Sequence, residues 1–220
     1  MMNNKIKHEN FENHKNLSNN RLRAIIYDLE IDLLKIKLDP ILLELKKDLH
    51  LPLNEIKRRF FIPNYYFFMI NKINFESLIL SSFNDYELTM QYIKTLKKQY
   101  ISSIKLDMKK KDALVNSLQN LEFEIYFSGS IDALTVEQFY RIAPEFEKRS
   151  FFSSDLGCAK PDYLFYETII NRLNYEAEEI LIVDDNLEAL NSAKLIGFYT
   201  LFYDGKYDLK GMISNNILNS

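Results

Sequence analysis

The run Glu179-Ile-Leu-Ile-Val183 breaks directly into Asp184-Asp185, and that junction constrains the fold more than any other feature of the chain. Four consecutive apolar residues between charged positions read as a strand buried on both faces, as in a parallel sheet covered by helices. The pattern recurs. Arg23-Ala-Ile-Ile-Tyr27 ends in Asp28, and Glu122-Phe-Glu-Ile-Tyr-Phe127 ends in Ser128-Gly129-Ser130. Phe198 to Phe202 is one more such run. Helical spacing fills the intervals: Leu114, Leu118 and Leu121; Phe165, Ile169 and Leu173 after Pro161; Leu187, Leu190 and Ala193 before the stop at Gly197. Strands alternating with helices imply right-handed crossovers. The expected class is α/β, with a Rossmann-like three-layer core and a parallel sheet.

One interval departs from this rhythm. Between residues 35 and 103 there is no Gly, and Glu, Lys, Leu, Ile, Phe and Tyr dominate. Ile41, Leu42, Leu45 and Leu49 keep helical spacing, as do Phe75, Leu78, Ile79 and Phe83, and Pro40 and Pro52 stand where helices begin. The segment reads as an all-helical insert between two core strands. The expected division is a leader at 1–20, core at 21–34 and 105–205, helical insert at 35–104, and a tail at 206–220. The aromatic residues Phe60, Phe61, Tyr65, Tyr66, Phe67 and Phe68 form either the core of the insert or the floor of a pocket that stacks a base.

Composition excludes several classes. The 28 basic and 31 acidic side chains leave a net charge of −3, so no basic balance points to nucleic acid. The run Lys109-Lys110-Lys111 reads as a solvated turn. No stretch reaches the ~18 to 20 apolar residues of a membrane helix, and the first 20 residues lack the apolar run of a secretory signal. A single cysteine, Cys158, allows no intramolecular disulfide and suits a reducing, cytoplasmic compartment, where it reads as a small packed thiol. His8 and His14 fall in the leader, and His50 closes a helical run.

Ligands of such sheets bind beyond the carboxyl ends of the strands. Asp28, Ser128, Asp184 and Asp185 all stand at those ends, so they converge although they lie far apart in the chain. With Glu30 this makes four acids at one edge. Adjacent carboxylates do not readily ionise together without a cation, and Mg²⁺ is the hard cation that takes carboxylate oxygens and still reserves a place for a phosphate oxygen. A carboxylate beside it can attack phosphorus. Lys160 and Ser128 have the chemistry to hold phosphoryl oxygens.

These segments resemble a known family. Ile26-Tyr-Asp-Leu-Glu-Ile-Asp-Leu-Leu34 resembles the first motif, D-x-D-G-T-L, of haloacid-dehalogenase-like phosphatases. Ser128 resembles the hydroxyl of the second motif, and Gly157-Cys-Ala-Lys-Pro-Asp162 resembles the third. Ile182-Val-Asp-Asp-Asn186 with the helix up to Gly197 resembles the fourth. The insert lies where this family carries its type-1 cap, and the layout is most similar to the pyrimidine 5′-nucleotidase-like branch. The resemblance implies a Mg²⁺-dependent phosphatase of a small phosphorylated metabolite, a nucleoside monophosphate or sugar phosphate. It assigns Asp28 as nucleophile and metal ligand and Glu30 as general acid/base, with the Glu30 carbonyl on the metal. Asp185 would bind Mg²⁺ directly, with Asp184 nearby. Ser128, Gly129 and Lys160 would hold the phosphoryl group.

Three positions depart from the first motif: Glu30 replaces its second Asp, Ile31 its Gly and Asp32 its Thr. A carboxyl displaced by about 1 Å costs on the order of 10²-fold in rate. Two alternatives therefore stand beside the phosphatase. One is an impaired relative that binds a phosphorylated ligand or a protein. The other is a transfer enzyme or carbon–halogen hydrolase on the same fold. Substrate and oligomeric state are not encoded legibly.

Overall fold

The computed structural model describes residues 22–118, 121 and 123–215. The expected leader, with His8 and His14, lies outside the described residues, as does the end of the expected tail.

The centre of the molecule is β1 (Ala24–Asp28), every residue of which is buried. It pairs in parallel with β4 (Glu124–Gly129) on one side and β6 (Ile180–Asp184) on the other. The outer strands are β5 (Ser150–Phe152) and β7 (Tyr199–Phe202), and the sheet order is β5-β4-β1-β6-β7. Alternate residues of β1 feed opposite faces, as the strand period of two requires. Ile25 and Tyr27 join Phe127, Phe139 and Val183 in one apolar cluster. Ala24 and Ile26 join Phe165, Ile169 and Leu190 in the other. Helices α9 (Tyr163–Leu173) and α10 (Leu187–Ile196) cover the second face, and α7 (Ala133–Ile142) packs on the first. This is the expected parallel three-layer core.

The insert contains α1 (Asp39–Leu49), α2 (Leu53–Phe61), α3 (Tyr65–Met69), α4 (Phe75–Ser82) and α5 (Met90–Ser103). The four residues expected on one face of α1 are its buried ones, and Pro40 sits in its first turn. The insert's ends were not anticipated. β2 (Leu34–Ile36) and β3 (Ile104–Leu106) pair antiparallel, so the boundaries expected at 34/35 and 104/105 fall inside a two-stranded ribbon. Three residues per strand are too few to show a period. The aromatic run divides. Phe60 and Phe68 are buried, with Tyr65 packed between them at centroid distances of 5.7 and 5.9 Å, while Phe61, Tyr66 and Phe67 are exposed.

Other corrections concern the core. β4 lies two residues further on than expected, so Ser128 and Gly129 belong to the strand instead of following it. The lysine run is no solvated turn. It opens α6 (Met108–Leu118), and Lys111 is buried, with Nζ 2.9 Å from Glu145 and 3.0 Å from Asp112. The chain past Lys206 does not trail away at once. α11 (Leu209–Ile213) buries Leu209 and Ile213 in the main cluster. His50 is the exposed, left-handed end of α1, and Cys158 is buried and unpaired with another thiol. Among the described residues no helix is long and apolar enough to cross a membrane.

Phe127 is fully buried, with its ring 4.7 Å from Phe146 and 6.0 Å from Phe139. Phe127→Ala is expected to cost about 3–5 kcal/mol. Leu195→Ala, at a position 89% exposed, is expected to cost less than about 0.5 kcal/mol. Urea denaturation midpoints check both.

Candidate active site

Asp28 ends β1 and is 3% exposed. The strand register sets Ser128 directly beside it on β4. Tyr27 pairs with Val183, which brings Asp184 to the same level on β6. Neighbouring strands lie about 4.8 Å apart, so three functional side chains enter one edge within reach of each other. The Leu29 amide donates to the Ser128 carbonyl at 2.9 Å and fixes the first residue beyond the strand. The Ser128 hydroxyl oxygen is buried and has no hydrogen-bond partner among the described residues. A buried hydroxyl left unsatisfied in this way is available to a ligand.

Lys160 comes from the loop between α8 (Ser153–Leu156) and α9. Gly157 ends α8 in the left-handed conformation at φ 71°, which turns the chain toward the sheet. Lys160 Nζ lies 2.6 Å from Asp184 Oδ2 and 3.1 Å from Asp28 Oδ2. All three side chains are nearly sealed from water. Asp184 Oδ1 also accepts from the Asn186 amide at 2.8 Å, at the start of α10. The acidic group is completed by Asp185, which is exposed. One oxygen of each of Asp28, Asp184 and Asp185 lies within 4.8 Å of the others. Three carboxylates at that spacing suit a hard divalent cation, and one open edge leaves it a place for water or an oxygen ligand.

Electrostatics support the same view. One ammonium is divided between two buried carboxylates, and Asp184 takes the shorter contact. Burial therefore outweighs Lys160 and pushes the Asp28 carboxyl up to about 8, with Glu30 and Asp184 adding to the rise. Burial alone would lower Lys160, but Asp28, Asp184 and Glu30 together raise it.

The remaining expected residues are placed less simply. Glu30 lies outside the three-carboxylate group, so its side chain is not one of the clustered metal-type ligands. Its Oε2 accepts from the Ser130 amide at 3.0 Å, across the mouth of the site. Desolvation raises its carboxyl, while Lys160 and the Ser130 amide oppose that rise. Gly129 is buried within β4, and an added Cβ would meet only Ile131 at 3.5 Å, so bulk does not exclude a side chain there. Asp32 turns away. Its carboxylate accepts from the Tyr27 hydroxyl at 2.8 Å and from Lys110 Nζ at 3.2 Å, so its charge is met outside the site. Spacing along the chain carried no sign of these contacts. Neither did it single out Asp132, buried at the start of α7, which accepts from the Tyr100 hydroxyl at 2.5 Å and the Thr135 hydroxyl at 2.7 Å.

The raised Asp28 has a measurable sign. Its folded value lies above the ordinary 3.8, so its contribution to stability is present below about pH 4 and is lost as pH rises toward 8. Asp28→Asn lacks that dependence. In metal-free buffer, the Tm of Asp28→Asn relative to the parent is expected to climb by on the order of 5 °C between pH 5 and pH 8. A pH-independent difference would show that Asp28 ionises normally in the folded chain.

Solved structures share this architecture. No family model matches the chain. Drimenol cyclase drtB of Aspergillus calidoustus is 26% identical over 117 residues, which cover 51% of this chain and 22% of that protein. The chain therefore spans well under two thirds of the length of that relative. Among solved structures, the HAD family enzyme BT-2542 of Bacteroides thetaiotaomicron, in complex with magnesium and inorganic phosphate, superimposes with a TM-score of 0.69 at 13% identity. That match covers 87% of this chain and 98% of that one. A predicted HAD-like family hydrolase of Porphyromonas gingivalis gives 0.67 at 18% identity, over 90% and 98% of the two chains. The putative HAD-hydrolase YfnB of Bacillus subtilis, bound to magnesium, gives 0.58 at 21% identity, over 91% and 100%. The chain has the fold of the haloacid-dehalogenase-like hydrolases.

Proposed function

We propose that this chain is a Mg²⁺-dependent phosphatase that hydrolyses a small phosphate monoester through an aspartyl phosphate on Asp28. The observation that carries the reading is the grouping of Asp28, Asp184 and Asp185 at the carboxyl edge of the sheet, with the Lys160 ammonium on Asp28 and Asp184. The fold neighbour BT-2542, seen with magnesium and inorganic phosphate, supports it. Nucleoside monophosphates and sugar phosphates are the candidate substrates.

Asp28 and Asp185 would hold the ion, with Asp184 close by. Bound there, Mg²⁺ neutralises carboxylate and phosphoryl charge and keeps Asp28 ionised. Lys160 Nζ and the free Ser128 hydroxyl then hold phosphoryl oxygens, and Gly129 contributes backbone to the same cradle. In the first step an Asp28 oxygen forms a bond to phosphorus. The bond from phosphorus to the leaving oxygen breaks, and that oxygen takes a proton from Glu30. In the second step Glu30 removes a proton from water. The water oxygen bonds to phosphorus, the Asp28–phosphorus bond breaks, and inorganic phosphate leaves. A carboxyl raised above the ordinary glutamate range suits both halves of that role.

The departures from the first motif fit this reading. The longer Glu30 side chain reaches the Ser130 amide, which a shorter one would leave by one C–C bond. Asp32 adds no charge to the site, because Tyr27 and Lys110 meet it outside. An L-2-haloacid dehalogenase, PA0810, shares the fold with a TM-score of 0.55 and keeps carbon–halogen hydrolysis as a second reading.

Phosphate release over a panel of monoesters tests the proposal. Turnover is expected to require Mg²⁺ and to vanish in Asp28→Asn. Glu30→Gln is expected to lower kcat by about 10²–10⁴-fold, and Ser128→Ala by about 10²–10³-fold. Glu30→Asp is expected to lose activity too, on the order of 10²-fold. No turnover on any monoester sinks the reading. Activity on a haloacid that survives chelation supports the second one.

A further inference from the structure

Asp162 stands at the start of α9, where an aspartate ordinarily accepts from the amides of the first helical turn. Here its side chain makes no such capping bond. Its Oδ2 accepts instead from the Tyr66 hydroxyl at 2.6 Å and from the Ala159 amide at 3.4 Å. Tyr66 belongs to α3 of the insert, 96 residues earlier in the chain. The Asp162 amide in turn donates to the Ala159 carbonyl at 2.8 Å. Residues 159–162 thus close into a turn with Lys160 inside it. One carboxylate oxygen joins the insert to the loop that presents the site's ammonium.

Position matters as much as contact. The insert enters and leaves the core through the β2–β3 ribbon. Near that ribbon the buried Tyr100–Asp132 bond ties the insert's base to α7. The buried Ser153 hydroxyl lies 3.0 Å from the Met69 carbonyl of the insert and 2.9 Å from the Ile131 carbonyl of the core, so its one proton is shared between them. The Tyr66–Asp162 bond faces solvent, and Tyr66 is 40% exposed. Water competes for such a bond, so it opens and closes readily, as a lid contact must during turnover.

We propose that Tyr66 and Asp162 are positioning residues, a latch that holds the insert over the site and sets the turn that presents Lys160. The latch itself stands on these contacts alone. Its meaning for catalysis rests on the reading of Lys160 as a phosphate-site residue.

The test uses the full chain without substrate, so a failure of the phosphatase reading leaves it interpretable. Tyr66→Phe removes one oxygen and keeps the ring. Amide hydrogen exchange is expected to speed up on the order of five- to tenfold in residues 63–70 and also in 157–162, with β1 and β6 unchanged. Asp162→Ala, which removes the acceptor, is expected to loosen the same two segments, and adding Tyr66→Phe to it is expected to change nothing further, because the bond is already gone. In protein labelled with ¹⁵N-lysine, the Lys160 ammonium signal, identified by its loss in Lys160→Met, is expected to shift or broaden in Tyr66→Phe. Unchanged exchange in 157–162, an unmoved Lys160 signal, or additive effects of the two substitutions would each overturn the proposal.

Discussion

The structure of this site depends on one ammonium serving two buried carboxylates. Lys160 bonds Asp184 at 2.6 Å and touches Asp28 at 3.1 Å, and little solvent reaches any of the three. Charges taken out of water cost several kcal/mol each unless they are paired and hydrogen-bonded, and removing one partner of a buried pair costs about 3–5 kcal/mol. The sheet edge limits that cost. Asp184 receives the Asn186 amide at the head of α10, where the helix dipole favours negative charge. Asp28 has no equal compensation, and burial raises its carboxyl accordingly. With exposed Asp185 alongside, the edge carries more negative charge than its lysine neutralises. That surplus suits a hard divalent cation.

The parts of this arrangement legible in the sequence are those set by strand ends. In a parallel sheet every carboxyl end lies on one edge, so Asp28, Ser128, Asp184 and Asp185 had to meet wherever their strands did. Apolar runs flanked by charge located those strands to within two residues. Lys160 was legible only through the motif around it, since its loop has no periodicity. Contacts made after a strand ends were not legible. Nothing in the spacing of Glu30 and Asp32 says that one turns toward Ser130 and the other toward Tyr27 and Lys110. β2 and β3 were missed because three-residue strands show no alternation, and β5 because three residues between other elements give no pattern. Asp162 reads as an ordinary helix start, and only the fold reveals that its carboxylate is turned elsewhere.

The insert and the core are less separate than a division by sequence suggests. Leu45, Phe60, Phe75 and Tyr100 of the insert belong to the same apolar cluster as Ile25, Phe127 and Val183 of the sheet. Burial of that continuous surface, at roughly 25 cal/mol per Å², joins the insert to the core. The polar bonds then decide orientation. The buried Tyr100–Asp132 bond acts as a fixed point, and the solvent-facing Tyr66–Asp162 bond can yield.

The altered first motif shows how a substitution set can be absorbed locally. Asp in place of a Thr would add charge beside three other carboxylates if it faced the site. It faces the opposite way, toward Tyr27 and Lys110, and the backbone opposite it is Gly205. An added Cβ at Gly205 would stand 3.3 Å from the Asp32 Cβ, and Gly205 holds a φ of 78°, which side chains rarely adopt. Asp32, Tyr27, Lys110 and Gly205 therefore form one compensated unit on the outer side of the loop that follows β1. Reverting Asp32 alone would leave the Tyr27 hydroxyl and the Lys110 ammonium without that acceptor. The departures thus redirect contacts around the loop that follows β1 while Asp28, Ser128, Lys160 and Asp184 keep their common edge.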